Sequence, residues 1–142
     1  MKVWLADDES DLLNDFKDLF VDDKDLKKAG KIELVTIANL NEFQNMVQKV
    51  VNKSEPVPSL IFLDLRFRTI KEGYAALDTI KKHKDSHIKT IPLVMFSSSR
   101  QPEEVKTVYE KLANVYVEKG AEKFERFKSV ILHWHNEAIL PN

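Results

Sequence analysis

The sequence lacks cysteine, and neither sign of charge dominates it. Without cysteine the chain can form no disulfide, bind no metal through thiolates and use no thiol as a nucleophile, which is compatible with a reducing cytosol. Carboxylates, hydroxyls, lysine and histidine remain as the groups available for chemistry. Lysine plus arginine number 22 and aspartate plus glutamate 23, for a formal net charge of -1. This balance is not typical of nucleic-acid binders, so we expect no direct contact with nucleic acid.

Long apolar runs are also absent. No stretch approaches the ~20 apolar residues of a membrane-spanning helix, and the strand-like run after Met1 and Lys2 is too short for the apolar part of a signal peptide. No internal repeat or low-complexity segment interrupts the pattern. A length of 142 residues suits one ordinary domain. We therefore expect a single domain over residues 1–142 that lies in the cytoplasm without membrane attachment.

What the sequence does contain is a regular alternation of short apolar runs and segments with helical spacing. The central run, 60–63, is apolar throughout and ends on Asp64, as expected of a strand buried on both faces of a parallel sheet. Similar runs lie at 2–6, 32–37, 91–96 and 115–117. The sequence predicts an α/β fold in which five parallel strands alternate with five helices that cover both faces of the sheet.

The third predicted helix ends in a charged segment that needs a separate interpretation. We expect this end, 81–89, to be a solvated helical face. It carries His83 and His87 at a spacing of four, which on one helix could hold a metal ion between them. No third ligand is nearby in the sequence, so the solvated face is the preferred interpretation.

Polar side chains follow the predicted strands. Because the carboxyl ends of parallel strands meet at one edge of the sheet, we expect these side chains to line a single pocket. Each has an ordinary alternative, since an acid there can cap a helix, a serine cluster can form a turn and a lysine can be solvated. The members of this group are Asp7, Asp8, Asp64, Ser97 and Lys119.

The clustered carboxylates predict a metal site. Three carboxylates at one place raise each other's pKa unless a cation neutralises them. With oxygen ligands and no cysteine, Mg²⁺ is the expected ion. A carboxylate beside Mg²⁺, such as Asp64, can attack a phosphoryl group and form an aspartyl-phosphate. The metal, a lysine and a hydroxyl would then stabilise the equatorial phosphoryl oxygens.

The order of these groups along the chain is specific: Asp7 and Asp8 follow the first strand, Asp64 the third, Ser97 the fourth, and Lys119 the fifth, three residues after Tyr116. In this order the chain resembles the receiver domains of response regulators in two-component signalling, over essentially its whole length. The resemblance implies a flavodoxin-like, doubly wound fold with five parallel strands in the order 2-1-3-4-5.

The resemblance also implies roles for individual residues. Asp64 would be the phosphoacceptor and a metal ligand, Asp8 a direct Mg²⁺ ligand, and Asp7 a ligand acting through water. The backbone carbonyl of Arg66 would be a further ligand. By the same resemblance, Ser99 and the side chain of Arg66 occupy positions that tune the lifetime of the phosphate.

The remaining residues of the pattern would respond to the phosphoryl group. By resemblance, Ser97 would move to bond it, Lys119 would be its charge partner, and the rotamer of Tyr116 would report the state. The expected phosphodonor is a phosphohistidine on a histidine kinase or a histidine phosphotransfer protein. The output would be a downstream protein that the sequence does not name, and a homodimer is left open.

The chain departs from the common receiver pattern at two prolines. Arg68 stands four residues after Asp64, where receivers commonly carry proline, and Gly73 lies one step further along than is common. These changes predict an altered loop after Asp64. Gly120 replaces the proline that commonly follows the lysine, and a cis peptide is costly without proline.

The preferred function is a stand-alone receiver that catalyses its own phosphoryl uptake and loss and binds a partner protein when phosphorylated; whether it counts as an enzyme stays open. One alternative is a phosphatase-type hydrolase with an aspartyl-phosphate intermediate. Such enzymes usually need an acid two residues after the nucleophile, where this chain has Arg66. Another alternative is a degenerate receiver that binds partners without phosphorylation.

Overall fold

The computed structural model describes residues 1–138 and 140–141, and its centre is one parallel sheet. The five strands lie in the order β2-β1-β3-β4-β5, all parallel to one another. The flavodoxin-like, doubly wound α/β fold is therefore confirmed. The strands are β1 Lys2–Ala6, β2 Glu33–Ile37, β3 Leu60–Leu63, β4 Leu93–Ser97 and β5 Val115–Glu118.

Seven helices lie among the described residues, two more than the sequence pattern predicted. The count of five was wrong because two short helices have local caps of their own. They are α1 Ser10–Asp22, α2 Lys24–Ala29, α3 Leu40–Val51, α4 Ile70–Lys81, α5 Ser86–Lys89, α6 Pro102–Glu110 and α7 Lys123–Asn136.

Both unexpected helices begin at an aspartate. The side chain of Asp23 accepts hydrogen bonds from the backbone N–H groups of Asp25 and Leu26, which starts α2 one residue after α1 ends. The side chain of Asp85 likewise accepts from the backbone N–H of His87 at the start of α5. An aspartate in this position satisfies free N–H groups and favours a new helix over continuation of the old one.

The charged segment at 81–89 is therefore not one continuous helix, and that part of the prediction was wrong, although most of its residues are exposed as a solvated face requires. Helix α4 ends at Lys81, and His87 lies in α5, so the two histidines do not share a helix. Lys81 itself is buried. Its ammonium donates to the backbone carbonyl of Ile91 at 3.0 Å and to the side-chain oxygen of Asn114 at 2.9 Å.

Alternate residues of β3 divide the core into two layers. Leu60 and Phe62 face the layer that includes α1 and α7, whereas Ile61 and Leu63 face the layer that includes α3 and α4. All four are fully buried. A strand covered on both faces has no polar position until it ends, which explains why its first polar residue is Asp64.

Backbone hydrogen bonds continue past the strand ends and hold the functional residues in place. The N–H of Asp7 donates to the carbonyl of Ile37 at 3.0 Å, and that of Asp64 donates to Ala6 at 2.9 Å. The N–H of Lys119 donates to the carbonyl of Ser97 at 2.9 Å. Each residue at the end of a strand is thus fixed to the neighbouring strand, at the carboxyl edge of the sheet.

Within the described part of the chain, no helix has both the length and the apolar character needed to cross a membrane.

Candidate functional site

The ammonium of Lys119 lies between two buried carboxylates. Its Nζ atom is 2.7 Å from Oδ2 of Asp7 and 3.4 Å from Oδ2 of Asp64. The three residues are 3%, 0% and 5% exposed, respectively. They come from the ends of β5, β1 and β3, so the sheet brings together groups that are far apart in the sequence.

The second oxygen of each carboxylate is held by the loop that follows it. Oδ1 of Asp7 accepts a hydrogen bond from the backbone N–H of Glu9 at 2.9 Å, and Oδ1 of Asp64 accepts from the N–H of Arg66 at 3.3 Å. Helix α1 begins after Glu9 without a side-chain cap, so neither Asp7 nor Asp8 serves as its N-cap. The capping alternative for these two acids does not hold.

Asp8 completes a group of three carboxylates. One oxygen each from Asp7, Asp8 and Asp64 lies within 4.8 Å of the others, and Asp8 is exposed whereas the other two are buried. These three carboxylates face a single ammonium, so the cluster is short of positive charge. All-oxygen donors at this spacing fit a hard divalent cation. The site can therefore hold a divalent metal ion.

Burial shifts the pKa values of the site. Burial, assisted by the charge of Asp7, raises the pKa of Asp64 from 3.8 to about 6. Burial also raises the pKa of Asp7, and this effect outweighs the opposing attraction of Lys119. For Lys119, burial alone would lower the pKa, but the charges of Asp64 and Asp7 raise it above its usual value. The ammonium therefore stays charged and the carboxylates hold protons more tightly than usual.

An open pocket of about 660 Å³ lies above these groups. Asp8, Asp64 and Lys119 are among the residues that line it. Ser97, the buried last residue of β4, also lines the pocket. The Ser97 hydroxyl predicted to bond the phosphoryl group therefore lies in the same pocket as Asp64, the predicted phosphoacceptor. The structure thus brings Asp7, Asp8, Asp64, Ser97 and Lys119 to one edge of the sheet.

Arg66 lines the same pocket, but its side chain is already engaged. The guanidinium donates to both carboxylate oxygens of Glu104, at 3.1 and 2.9 Å. The part of its backbone that contacts Asp64 is the N–H. Metal ligation by its carbonyl stays a prediction.

Tyr116 lies beside the pocket and does not line it. Its hydroxyl donates to the backbone carbonyl of Ser99 at 2.7 Å, and its backbone N–H donates to the hydroxyl of Tyr109 at 2.9 Å. Burial raises the pKa of Tyr116 above its usual value. The Tyr116 side chain is thus hydrogen-bonded to the loop after β4. That its rotamer reports the phosphorylation state stays a prediction.

The loop after Asp64 is shaped by a buried aromatic ring. Phe67 is buried against Phe43 with ring centroids 6.3 Å apart, and the next residue, Arg68, has a φ of +70°. Helix α4 then passes so close to the loop that a Cβ on Gly73 would lie 1.7 Å from the carbonyl oxygen of Leu65. Glycine is required at this close approach.

The turn after Lys119 also depends on glycine. Gly120 has a φ of +63°, and a Cβ there would lie 3.1 Å from the guanidinium carbon of Arg126. No cis peptide bond occurs between described residues, in line with the absence of proline at this position.

Sequence reasoning missed Glu104. It contacts Arg66 and also accepts a hydrogen bond from the hydroxyl of Ser99 at 2.7 Å. In the sequence, Glu104 is one of two adjacent acids at the start of α6, where acids are favoured by the helix dipole. Nothing in the sequence distinguishes it from Glu103.

No protein-family model matches the chain, and no curated protein sequence does. Solved structures do match it. The Mn²⁺-bound response regulator Rcp1 superposes with a TM-score of 0.81 at 23% identity, over 99% of each chain. The phosphorylated cyanobacterial phytochrome response regulator RcpA gives 0.81 at 25% identity, over 99% of this chain and 98% of its own. The chain has the fold of response-regulator receiver domains.

A third structure supports the same conclusion. The response regulator RPA3017 of R. palustris matches with a TM-score of 0.78 at 18% identity, over 99% of this chain. The predicted resemblance to receiver domains is thereby confirmed. Within the receiver fold, the pocket described above lies at the carboxyl ends of the strands, where doubly wound sheets bind their ligands.

Proposed function

We propose that this receiver domain is a phosphoacceptor in a two-component phosphorelay. Asp64 takes a phosphoryl group from a phosphohistidine of a histidine kinase or phosphotransfer protein, with Mg²⁺ bound beside it. The phosphorylated form then binds a downstream partner protein. The observation that carries this proposal is the position of Asp64 in the lining of an open pocket, 3.4 Å from the Lys119 ammonium and beside two further carboxylates.

Asp7, Asp8, Asp64 and the carbonyl of Arg66 would hold the metal ion. The ion would neutralise the carboxylates and the oxygens of the incoming phosphoryl group. An oxygen of Asp64 attacks the phosphorus, a P–O bond forms, and the P–N bond to the donor imidazole breaks. The imidazole leaves with the electron pair of that bond and takes up a proton.

The pKa of about 6 for Asp64 supports its role as the nucleophile. At neutral pH the carboxyl group is mostly ionised even without a metal ion, and a bound cation favours the ionised form further. Lys119 contributes a fixed positive charge that need not be brought in during the reaction. Such preorganised charge is usually the largest contribution to stabilising a phosphoryl-transfer transition state.

The phosphoryl group brings ~2 negative charges into the pocket. These would draw the Ser97 hydroxyl and the Lys119 ammonium towards it and shift an existing equilibrium in the surface around α6 and β5. The structure supports this coupling because Tyr109 and Tyr116, which lie on that surface, are hydrogen-bonded to each other, and Tyr116 is bonded to the loop that follows Ser97.

Two observations bear on the alternatives. Arg66 occupies the place where a phosphatase-type hydrolase would carry its second acid, and its guanidinium is paired with Glu104. A degenerate receiver would not need the complete group of carboxylates, hydroxyl and ammonium.

We also propose, as the sequence indicated, that residues 1–142 form a single domain that works in the cytoplasm.

Intact-protein mass spectrometry after incubation with acetyl phosphate tests the proposal. We expect the mass of one phosphoryl group to be added in the presence of Mg²⁺ and not in EDTA. Asp64→Asn should abolish the addition, whereas Asp18→Asn, an exposed acid on α1, should leave it unchanged. Addition to the Asp64→Asn variant, or none to the wild type, would contradict the assignment. Steady release of phosphate from a phosphomonoester would favour the hydrolase instead.

A further inference from the structure

A continuous path of hydrogen bonds leads from the pocket to β5. The Arg66 guanidinium donates to Glu104, and the Ser99 hydroxyl donates to Oε1 of the same carboxylate at 2.7 Å. The backbone carbonyl of Ser99 in turn accepts from the Tyr116 hydroxyl at 2.7 Å. This path joins four parts of the chain, namely the loop after β3, the loop after β4, the start of α6 and strand β5.

Arg66 lies at the pocket end of this path. Its backbone N–H donates to the Asp64 carboxylate, while its guanidinium lies on Glu104. The Arg66 side chain is 56% exposed and the Glu104 side chain 18%. The arginine is thus the more exposed partner of the pair, whereas the glutamate is more buried and is also hydrogen-bonded to Ser99.

A phosphoryl group on Asp64 would compete with Glu104 for the arginine. Guanidinium groups bind phosphate oxygens through paired, charge-assisted hydrogen bonds. A phosphoryl group carries ~2 negative charges, against one on a carboxylate. Arg68 and Arg100 also line the pocket and are also paired with glutamates, Glu72 and Glu118. Arg66 differs from both in that its own backbone contacts the predicted phosphoacceptor.

We propose that Glu104 is a positioning residue that holds Arg66 on the rim of the pocket until a phosphoryl group on Asp64 takes the arginine from it. The exchange leaves Glu104 without its ion-pair partner and loosens its contact with Ser99. The change then reaches Tyr116 through the Ser99 carbonyl. This inference rests on the proposed phosphorylation of Asp64 and adds the step that links it to α6 and β5.

Binding of beryllofluoride, a tetrahedral mimic of the phosphoryl group, tests the exchange. The affinity is measured by fluorine NMR in the presence of Mg²⁺. Glu104→Gln removes the competing carboxylate, so we expect it to bind the mimic about two- to fivefold more tightly than Glu103→Gln, the range for one partly exposed ion pair. Glu103 is the matched control, since it is an exposed acid on the same helical turn with no ion-pair partner in the described structure.

A double-mutant comparison isolates the contribution of the arginine. Arg66→Ala should weaken binding of the mimic, and in that background Glu104→Gln and Glu103→Gln should give equal affinities. The charge-swapped pair Arg66→Glu with Glu104→Arg should keep the thermal stability of the wild type. It should nevertheless bind the mimic more weakly than Arg66→Ala, because a carboxylate then faces the phosphoryl position. If the contact between Arg66 and Glu104 were merely structural, the charge-swapped protein would bind the mimic as well as the wild type does.

The outcomes separate the two proposals. If the wild type binds the mimic and Glu104→Gln matches Glu103→Gln, the exchange is overturned while the phosphoacceptor assignment stands. Full recovery of binding in the charge-swapped protein overturns the exchange in the same way. If the wild type neither binds the mimic nor gains a phosphoryl group from acetyl phosphate, the phosphoacceptor assignment fails and the exchange fails with it.

Discussion

Asp64 is held in a state that opposes its own ionisation. Its carboxyl group is buried next to another acid, and the single ammonium of Lys119 lies closer to Asp7 than to Asp64. Burying surplus negative charge lowers the stability of the folded protein. The same surplus attracts a cation to the site. The buried carboxyl group of Asp64 therefore lowers the free energy of unfolding, and the size of this effect depends on pH.

The first prediction concerns the pH dependence of stability in EDTA. The folded-state pKa of Asp64 is about 6 against an ordinary value of 3.8, so the folded state binds the proton more tightly. The contribution of Asp64 to the free energy of unfolding should therefore fall as the pH rises from about 4 to above 6. Asp64→Asn removes this loss and should be about 1–3 kcal/mol more stable than the wild type at neutral pH.

Chemical denaturation of both proteins at a series of pH values measures this difference. The gap between Asp64→Asn and the wild type should widen with pH, while Asp18→Asn should follow the wild type throughout. A constant gap across the series would show that ionisation of Asp64 is not its source.

At the scale of the elements, the approach of α4 to the loop after β3 sets the position of Arg66. Gly73 allows the helix backbone to lie against the Leu65 carbonyl, and buried Phe67 fixes the loop between them. The loop therefore has little freedom at its apolar residues. Its exposed side chains, Arg66 and Arg68, are held by ion pairs with Glu104 and Glu72.

The second prediction is that Gly73→Ala destabilises the protein. Alanine normally stabilises a helix relative to glycine by up to about 1 kcal/mol. Here its Cβ would lie 1.7 Å from a backbone oxygen, so the helix and the loop must separate. We expect a net loss of about 2 kcal/mol or more in the free energy of unfolding, as for other overpacked sites.

Denaturant titration of Gly73→Ala checks this prediction, with Lys71→Ala on the exposed side of the same helix as the control. The control should differ from the wild type by no more than about 0.5 kcal/mol. Increased stability of Gly73→Ala would mean that the close contact is not present in solution.

At the scale of the whole molecule, metal binding should stabilise the fold, because the carboxylates come together only when the sheet is formed. A ligand that binds the folded state alone raises the free energy of unfolding by RT ln(1 + [L]/Kd). The third prediction is that Mg²⁺ raises the Tm of the wild type, and that Asp8→Asn strongly reduces this increase. Asp8 is the exposed member of the cluster, so its substitution should leave the Tm in EDTA nearly unchanged.

Differential scanning fluorimetry with increasing Mg²⁺ measures both effects, and Asp11→Asn serves as an exposed acid outside the cluster. Equal Mg²⁺ dependence in Asp8→Asn and the wild type would exclude Asp8 as a ligand. Mn²⁺ should give the same order of the variants, because both ions bind oxygen donors.

The sequence predicted the alternating architecture and the edge at which the site would lie. The apolar run of β3 and the polar residues after four strands were enough, since parallel strands always bring their carboxyl ends together. It did not predict α2 and α5, because one aspartate in a charged segment is a weak signal for a helix cap. It also assigned Lys81 to a solvated face, although this residue is buried against the carbonyl of Ile91.

What the sequence by itself determined is which groups could meet, because the strands and their ends follow from short-range hydrophobic patterning and the carboxyl ends of parallel strands lie at one edge of the sheet. Only the tertiary structure decided how their charges are paired. Lys119 is shared between Asp7 and Asp64, and Arg66 lies on a glutamate 38 residues away. Such pairings depend on loop conformation and on distances of a few ångströms between side chains, and no local pattern in a sequence encodes these.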